Sequence, residues 1–188
     1  MVIPPPELTQ PHTELNSITM DGQCYFDSEI YMDQNTDINS LMNVNSTSGF
    51  LIGAYDDNCE WRIQCKKTDM WVTRGLKSSG IHATSYSVGS DITIQSTANK
   101  FSFGMKSVTC SDTSSFTLTK SCYIGNVNAN GSPQSIGLNG KLYYIKFYSG
   151  SSLIADMIPV KKTDGTICLY DKVRNKYFYN KGSGTLTS

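Results

Sequence analysis

The strictest constraint on the fold lies in residues 139–179, where apolar and aromatic side chains recur at every second position between short clusters of turn formers. Residues 142–148 read L-Y-Y-I-K-F-Y. Tyr143, Ile145 and Phe147 fall in one phase, and Leu142, Tyr144, Lys146 and Tyr148 in the other. A period of two sends successive side chains to opposite faces of an extended chain, so the stretch is a strand of a layered sheet. Ser149-Gly150-Ser151-Ser152 is turn chemistry. A second strand over 153–160 is expected to stop at Pro159, which cannot donate to a ladder. Asp164-Gly165 marks a tight turn, and 167–170 and 177–179 are two further strands.

The same grammar runs upstream. Ile38 and Met42 share a phase, as do Trp61, Ile63 and Cys65, then Ile92 and Ile94, then Phe101, Phe103 and Met105. Residues 50–54 are apolar throughout, as in a strand covered on both faces. Turn signals return at roughly 8–12 residue spacing, the rhythm of a sandwich. Hydrophobic residues make up 38% of the chain and charged residues 17%. Ser, Thr, Asn, Gly and Tyr fill the difference, which suits sheets joined by many polar turns. The fold class is therefore all-β, and 188 residues suit one domain with a sizeable core. Residues 1–17 carry Pro4, Pro5, Pro6 and Pro11 without periodicity and read as an extended leader or linker, with the domain over 18–188. Residues 74–90, rich in Gly and Ser, show no clear period.

Charge excludes one function class. Sixteen basic and sixteen acidic residues give a net charge of zero, without the basic face that phosphate neutralisation needs. No run of apolar residues is long enough for a membrane-spanning helix. The N-terminus lacks the basic and apolar regions of a secretion signal. An extracellular chain would then reach the surface by lysis, by virion assembly or as part of a longer protein. The six cysteines form no C-x-x-C and no zinc spacing. Several sit in strand phase, which reads as free thiols used as small hydrophobes. Disulfides Cys59–Cys65 or Cys110–Cys122 are the alternative.

The order of motifs carries a resemblance. Residues 140–148 give G-x-L-Y-x-I-K-x-Y, followed by a strand ending in I-P, then D-G-x-I-x-L-Y-D, N-K-x-x-Y and a G-x-G-T end. Upstream, Cys122-Tyr123-Ile124-Gly125-Asn126 matches an L-Y-I-G-N-like strand, and Asp33-Gln34-Asn35-Thr36 an N-x-N-T-like turn. Glu29 stands where a glycine is usual. From about Met20 onward the chain resembles concanavalin A-like, laminin G-like jelly-roll domains of phage tail and bacterial surface proteins. The resemblance implies a β-sandwich of two antiparallel sheets. It also implies a virion or bacterial cell-surface location, cell-surface glycan as partner, and mounting on a longer protein or in a homotrimer. The fold hosts lectins, glycan-cleaving enzymes and inert spacers, so function must be argued from a site.

A glycan-cleaving site needs two carboxylates about 5–5.5 Å apart for a retaining mechanism. Enzymes of this fold carry three acids in step on one strand; here Asp27-x-Glu29 has no third, and the chain is read as non-enzymatic. His12 and His82 fit neither a nucleophilic set nor a histidine-rich metal site, and no nucleophile elbow is present. Calcium prefers loop oxygens, and Asp56-Asp57-Asn58 is the densest such loop; the same residues are also good turn formers. No cofactor beyond that calcium is expected. Sugar binding needs a flat ring with planar polar groups beside it. Trp61, in phase with Ile63, is assigned to the core. Tyr55 and Trp71 are read as flanking loops, and with Asn126 and Asn128 of the 126–137 loop they form the candidate ligand set. A structural or trimerisation appendage without glycan affinity is the alternative, and a glycan hydrolase with an unusual site at Asp27 and Glu29 is the third reading.

Overall fold

The computed structural model describes residues 11–77 and 82–188. Its strands in chain order are β1 (His12–Glu14), β2 (Ile18–Asp21), β3 (Phe26–Asp33), β4 (Thr36–Val44), β5 (Ser48–Tyr55) and β6 (Cys59–Lys66). Next come β7 (Asp69–Leu76), β8 (His82–Ser85), β9 (Asp91–Thr97), β10 (Lys100–Phe103), β11 (Lys106–Thr109) and β12 (Thr117–Ile124). The last are β13 (Asn128–Ala129), β14 (Ser132–Pro133), β15 (Asn139–Ser149), β16 (Ser152–Lys162), β17 (Ile167–Asp171) and β18 (Lys176–Phe178). No helix occurs among the described residues.

The strands form two sheets. The larger runs β11-β10-β9-β4-β15-β16-β17-β18, with β1 on β16 and β2 on β15. The second runs β8-β7-β6-β5 and continues from β5 to β12 and β3, with the β13–β14 hairpin also on β5. Pairing is antiparallel except where β13 lies beside β5. Apolar phases of both sheets face inward, so Ile38, Met42, Trp61, Ile63, Ile94, Phe101 and Phe147 are buried in one core. All six cysteines are free and buried.

Two expectations about strands need correction. The phase expected over 142–148 breaks at Tyr143. Leu142 opposes Met42 and Tyr144 opposes Leu41, so Tyr143 is an extra residue, a β-bulge. The bulge resets the alternation and lets Leu142 face inward together with Ile145 and Phe147. Nor does Pro159 stop its strand, since β16 runs on through Lys162. In an antiparallel ladder a residue's N–H and C=O point to the same neighbour. The Pro159 carbonyl accepts the Leu15 N–H at 2.9 Å, so its missing N–H faces the end of β1 and costs β17 nothing.

Of the expected leader, residues 1–10 lie outside the described residues, but His12–Glu14 pair with β16 and begin the sheet earlier than residue 18. β15 and β16 form a hairpin whose arms pair only near the turn, from Ile145↔Met157 to Ser149↔Ser152. Beyond that the arms are lined by the N-terminal segment, β2 along residues 139–142 and β1 along residues 160–162. His12 also lies on a second small cluster of Val160, Cys168 and Tyr170. Its ring is 4.6 Å from that of Tyr170, and its Nδ1 is 2.7 Å from the Tyr177 hydroxyl.

The G-x-G-T end has a packing reason. A Cβ on Gly182 would lie 1.8 Å from the Gln23 carbonyl, and one on Gly184 would lie 2.1 Å from the Asp21 carboxylate. Bare backbone at both positions lets the C-terminal segment dock on the turn after β2. Asn180 fastens it there, accepting the Tyr25 N–H at 3.1 Å. Thr19 and Thr187 complete the contact as a single antiparallel bridge.

Candidate functional site

One end of the second sheet gathers residues from three distant stretches. Tyr55 closes β5, and Asp56-Asp57-Asn58 turn the chain into β6. Thr119 and Lys120 come from β12, and Asn130 from the tip of the β13–β14 hairpin. A recess of about 420 Å³ opens between them, lined by Asp56, Asp57, Asn58, Thr119, Lys120 and Asn130. The hairpin tip is Asn130-Gly131, with φ of 54° and 102°. A tight hairpin needs positive φ at both of these positions, which Asn and Gly supply at least cost. The hairpin lies along β5, and Asn130 donates from its side-chain amide to Asp57 at 3.0 Å.

Tyr55, which precedes the lining residue Asp56 in the chain, is half-buried. Its hydroxyl accepts from the Gln134 amide at 2.9 Å. The Arg62 guanidinium lies 5.4 Å and the Lys77 ammonium 5.8 Å from its ring centre. Arg62 is also held by the buried Glu60 carboxylate at 3.2 Å. Burial raises the Glu60 pKa, against the opposing pull of Arg62 and Lys77. The arrangement offers a ring edge, planar amides and hydroxyls, which together suit a polyhydroxylated ligand.

Asp56 is the staple of the loop. One carboxylate oxygen accepts the N–H groups of Asn58 at 3.0 Å and Cys59 at 2.9 Å. The other accepts the Thr119 N–H at 3.0 Å and hydroxyl at 2.9 Å. Burial alone would raise its pKa; these donors outweigh burial and pull it down to about 2. The folded state therefore binds the Asp56 proton less readily than the unfolded chain. The resulting stability, about 2 kcal/mol, is fully present above pH ~4 and lost as pH falls from there through 2. Asp56→Asn should flatten the acid limb of a stability–pH curve measured by denaturant unfolding. An unchanged limb would remove Asp56 from this role.

The expected calcium set thus divides. Asp57 and Asn58 are exposed, whereas both Asp56 oxygens are taken by protein donors. Among the described residues, no three His, Cys, Asp or Glu side chains are grouped to hold a metal ion.

The expected ligand set divides too. Of the four, Tyr55 adjoins the recess through its chain neighbour Asp56, and it is half-buried. Asn126 and Asn128 are buried and spend their amides on the loop. Asn126 bonds the Val127 and Gln134 backbone; Asn128 donates to the Ser121 carbonyl at 2.9 Å and accepts the Gly131 N–H at 2.7 Å. They shape the loop that presents Asn130 and Gln134. Trp71 lies within β7, paired with Gln64 and Ala83, and does not flank a loop. The Lys66 ammonium covers its ring at 4.3 Å, and its buried Nε1 has no hydrogen-bond partner among the described residues. It stands two strands from Tyr55, four residues further along the ladder. Trp61 is fully buried, as its phase requires.

Glu29 has φ of 58°, the left-handed conformation that explains the glycine usual there. It sits where the β3–β12 register slips, with Asp27 opposite Tyr123 and Tyr31 opposite Ser121. Asp27 accepts the Glu29 N–H at 3.0 Å, while the Glu29 carboxylate binds Lys176 at 2.5 and 2.7 Å.

Asn130, Gln134, Thr119 and Lys120 were not singled out by sequence. Asn130-Gly131 was the available signal, because that dipeptide flanked by extended residues marks a hairpin tip.

No family model and no curated protein matches the chain. Among solved structures it is similar to the mouse laminin alpha1 chain, domains LG4-5, with a TM-score of 0.58 at 12% identity. The match covers 75% of this chain and 44% of that one, so this chain spans less than half of the laminin fragment. A likeness at that identity is one of fold. Joined to the two antiparallel sheets, it gives the chain the jelly-roll β-sandwich architecture of laminin G-like domains.

Proposed function

We propose that the domain is a non-catalytic recognition module that binds cell-surface glycan at the Tyr55 end of its second sheet. It would serve a phage tail or bacterial surface protein, outside the producing cell. The observation that carries this reading is the polar recess lined by Asn58, Thr119, Lys120 and Asn130 beside Asp56, with the half-buried Tyr55 next to Asp56 in the chain. The absence of catalysis is supported by the one acid pair in step: Asp27 caps the Glu29 N–H and Glu29 is held by Lys176. The reading assigns no cofactor. At the 56–58 loop a cation would have Asp57 and carbonyl oxygens to work with.

One ring and a few amides contribute little per site, so affinity should lie in the millimolar to high micromolar range. Retention on a cell then depends on several copies acting together, as in a trimer or a multiply mounted protein. Tyr55→Ala should abolish retention of a multimerised domain on host cells and shift the melting temperature by only a few degrees. A glycan array with the same variant checks the ligand class, and a reducing-sugar assay on bacterial polysaccharide checks for turnover. Undiminished binding by a folded Tyr55→Ala variant, or release of reducing ends by the parent, would overturn the reading.

A further inference from the structure

We propose a second saccharide site, on the outer face of the larger sheet, for a neutral glycan. It does not rest on the Tyr55 site. β4 and β9 turn their apolar phases into the core and their polar phases outward. Asn39 lies directly opposite Gln95, and Asp37 opposite Tyr148 of β15. The β15–β16 turn forms a wall beside them, fixed by the Gly150 N–H donating to the Asn35 carbonyl at 2.9 Å. The result is a recess of about 350 Å³ lined by Asp37, Asn39, Gln95, Thr97, Tyr148 and Ser151, among others. That volume falls at the lower end of small-molecule sites, roughly 300–1,000 Å³.

The polar groups of this recess are largely unspent. The Gln95 amide and the hydroxyls of Thr97 and Tyr148 make no hydrogen bond among the described residues. Asn39 accepts the Tyr144 hydroxyl at 3.3 Å through Oδ1 and keeps its NH₂ group free. A planar amide offers donor and acceptor side by side, the complement of vicinal sugar hydroxyls, and the half-buried Tyr148 ring supplies a surface for C–H groups.

Charge selects against an anion. The one carboxylate lining the recess, Asp37, already accepts the Ser96 hydroxyl at 3.1 Å and the Ala98 N–H at 3.2 Å. The neighbouring cation, Lys146, is held by Asp156 at 3.1 Å. An acidic sugar would meet the Asp37 carboxylate in the lining, whereas a neutral one meets amides and hydroxyls.

Register places this recess at the same end of the sandwich as the Tyr55 site. Both sheets meet there at the β3–β4 turn: Asp33 opposes Thr117 on one side, and Thr36 opposes Ser149 on the other. Two weak sites at one end let a single domain grip a glycan surface twice, which multiplies affinity without new contacts.

Side-chain amide NMR of the isotopically labelled chain tests this. Titrated to tens of millimolar with maltohexaose, cellohexaose or mannohexaose, at least one should move the Asn39 and Gln95 NH₂ signals along a saturating curve. Gln95→Ala should weaken the saturation followed at Asn39 about tenfold. Gln95→Ala with Tyr148→Leu should abolish it, with a cooperative melt showing that the variant is folded. Asn130 and Gln134 signals report the other site in the same spectra, so failure of one reading is separable from failure of the other. Static Asn39 and Gln95 signals with all three sugars would overturn the proposal. So would saturation unchanged in Gln95→Ala, or shifts produced only by oligogalacturonate.

Discussion

Phe147→Asp is expected to give no folded protein. Phe147 is fully buried near the middle of the larger sheet, where β15 is flanked by β4 and β16, opposite Ile38 and Ala155. A carboxylate there would have no cation and no spare donor, because the backbone groups around it are committed to the ladders. The penalty of several kcal/mol for an uncompensated buried ion is of the order of the whole stability of a domain, about 5–15 kcal/mol. Lys141→Asp places the same charge on an exposed position of the same strand and should fold. Soluble expression and a cooperative melt measured for both variants decide the matter. A Phe147→Asp protein that melts cooperatively near the parent temperature would mean that residue 147 lies outside the core.

The second large effect should follow from removing residues 1–17. Read as a leader, they are dispensable. The pairing says otherwise, because deletion strips the backbone bonds that β1 and Leu15 make to Lys161 and Pro159 and uncovers Tyr170 and Tyr177. At ~1 kcal/mol for each of a few hydrogen bonds, plus the lost His12 contacts, the cost is about 3–5 kcal/mol. For a chain of this size that lowers the melting temperature by roughly 6–20 °C. A deletion variant that melts with the full chain would return these residues to the role of linker.

What sequence could and could not show divides along physical lines. Alternation reports which face a side chain takes, so strands such as β4 and β6 and the burial of Trp61 were legible from residues alone. A bulge is different: Tyr143 is extra only relative to Leu41 and Met42 on the partner strand, and no local pattern contains that partner. Pro159 reads as a stop because the direction of its missing N–H is set by a neighbour far away in sequence. The jelly-roll class was legible from motif order, and its glycines have causes visible only in three dimensions, as Gly182 and Gly184 do against Gln23 and Asp21. The candidate site was legible in part. Tyr55 and the 56–58 loop stand out by composition, whereas buried Asn126 and exposed Asn130 look alike until the hairpin places one inside and one at the tip. The polar phase of a strand reads as solvent-facing, which is why Asn39 and Gln95 drew no notice.

The meeting of Thr19 with Thr187 sets how the domain carries load. Both residues lie at the Asn139 end of β15, and both recesses lie at its Ser149 end. A chain held through either terminal segment and gripping a surface with its recesses is pulled lengthwise along the strands. Ladder hydrogen bonds run across the strands, so such a pull shears many of them together rather than peeling them one at a time. Tension applied between the two terminal segments would instead fall first on the short β1–β16 pairing and on the Thr19–Thr187 bridge, whose bonds are 2.7 and 3.2 Å. The sandwich is thus strong along its strands and softer between its own ends.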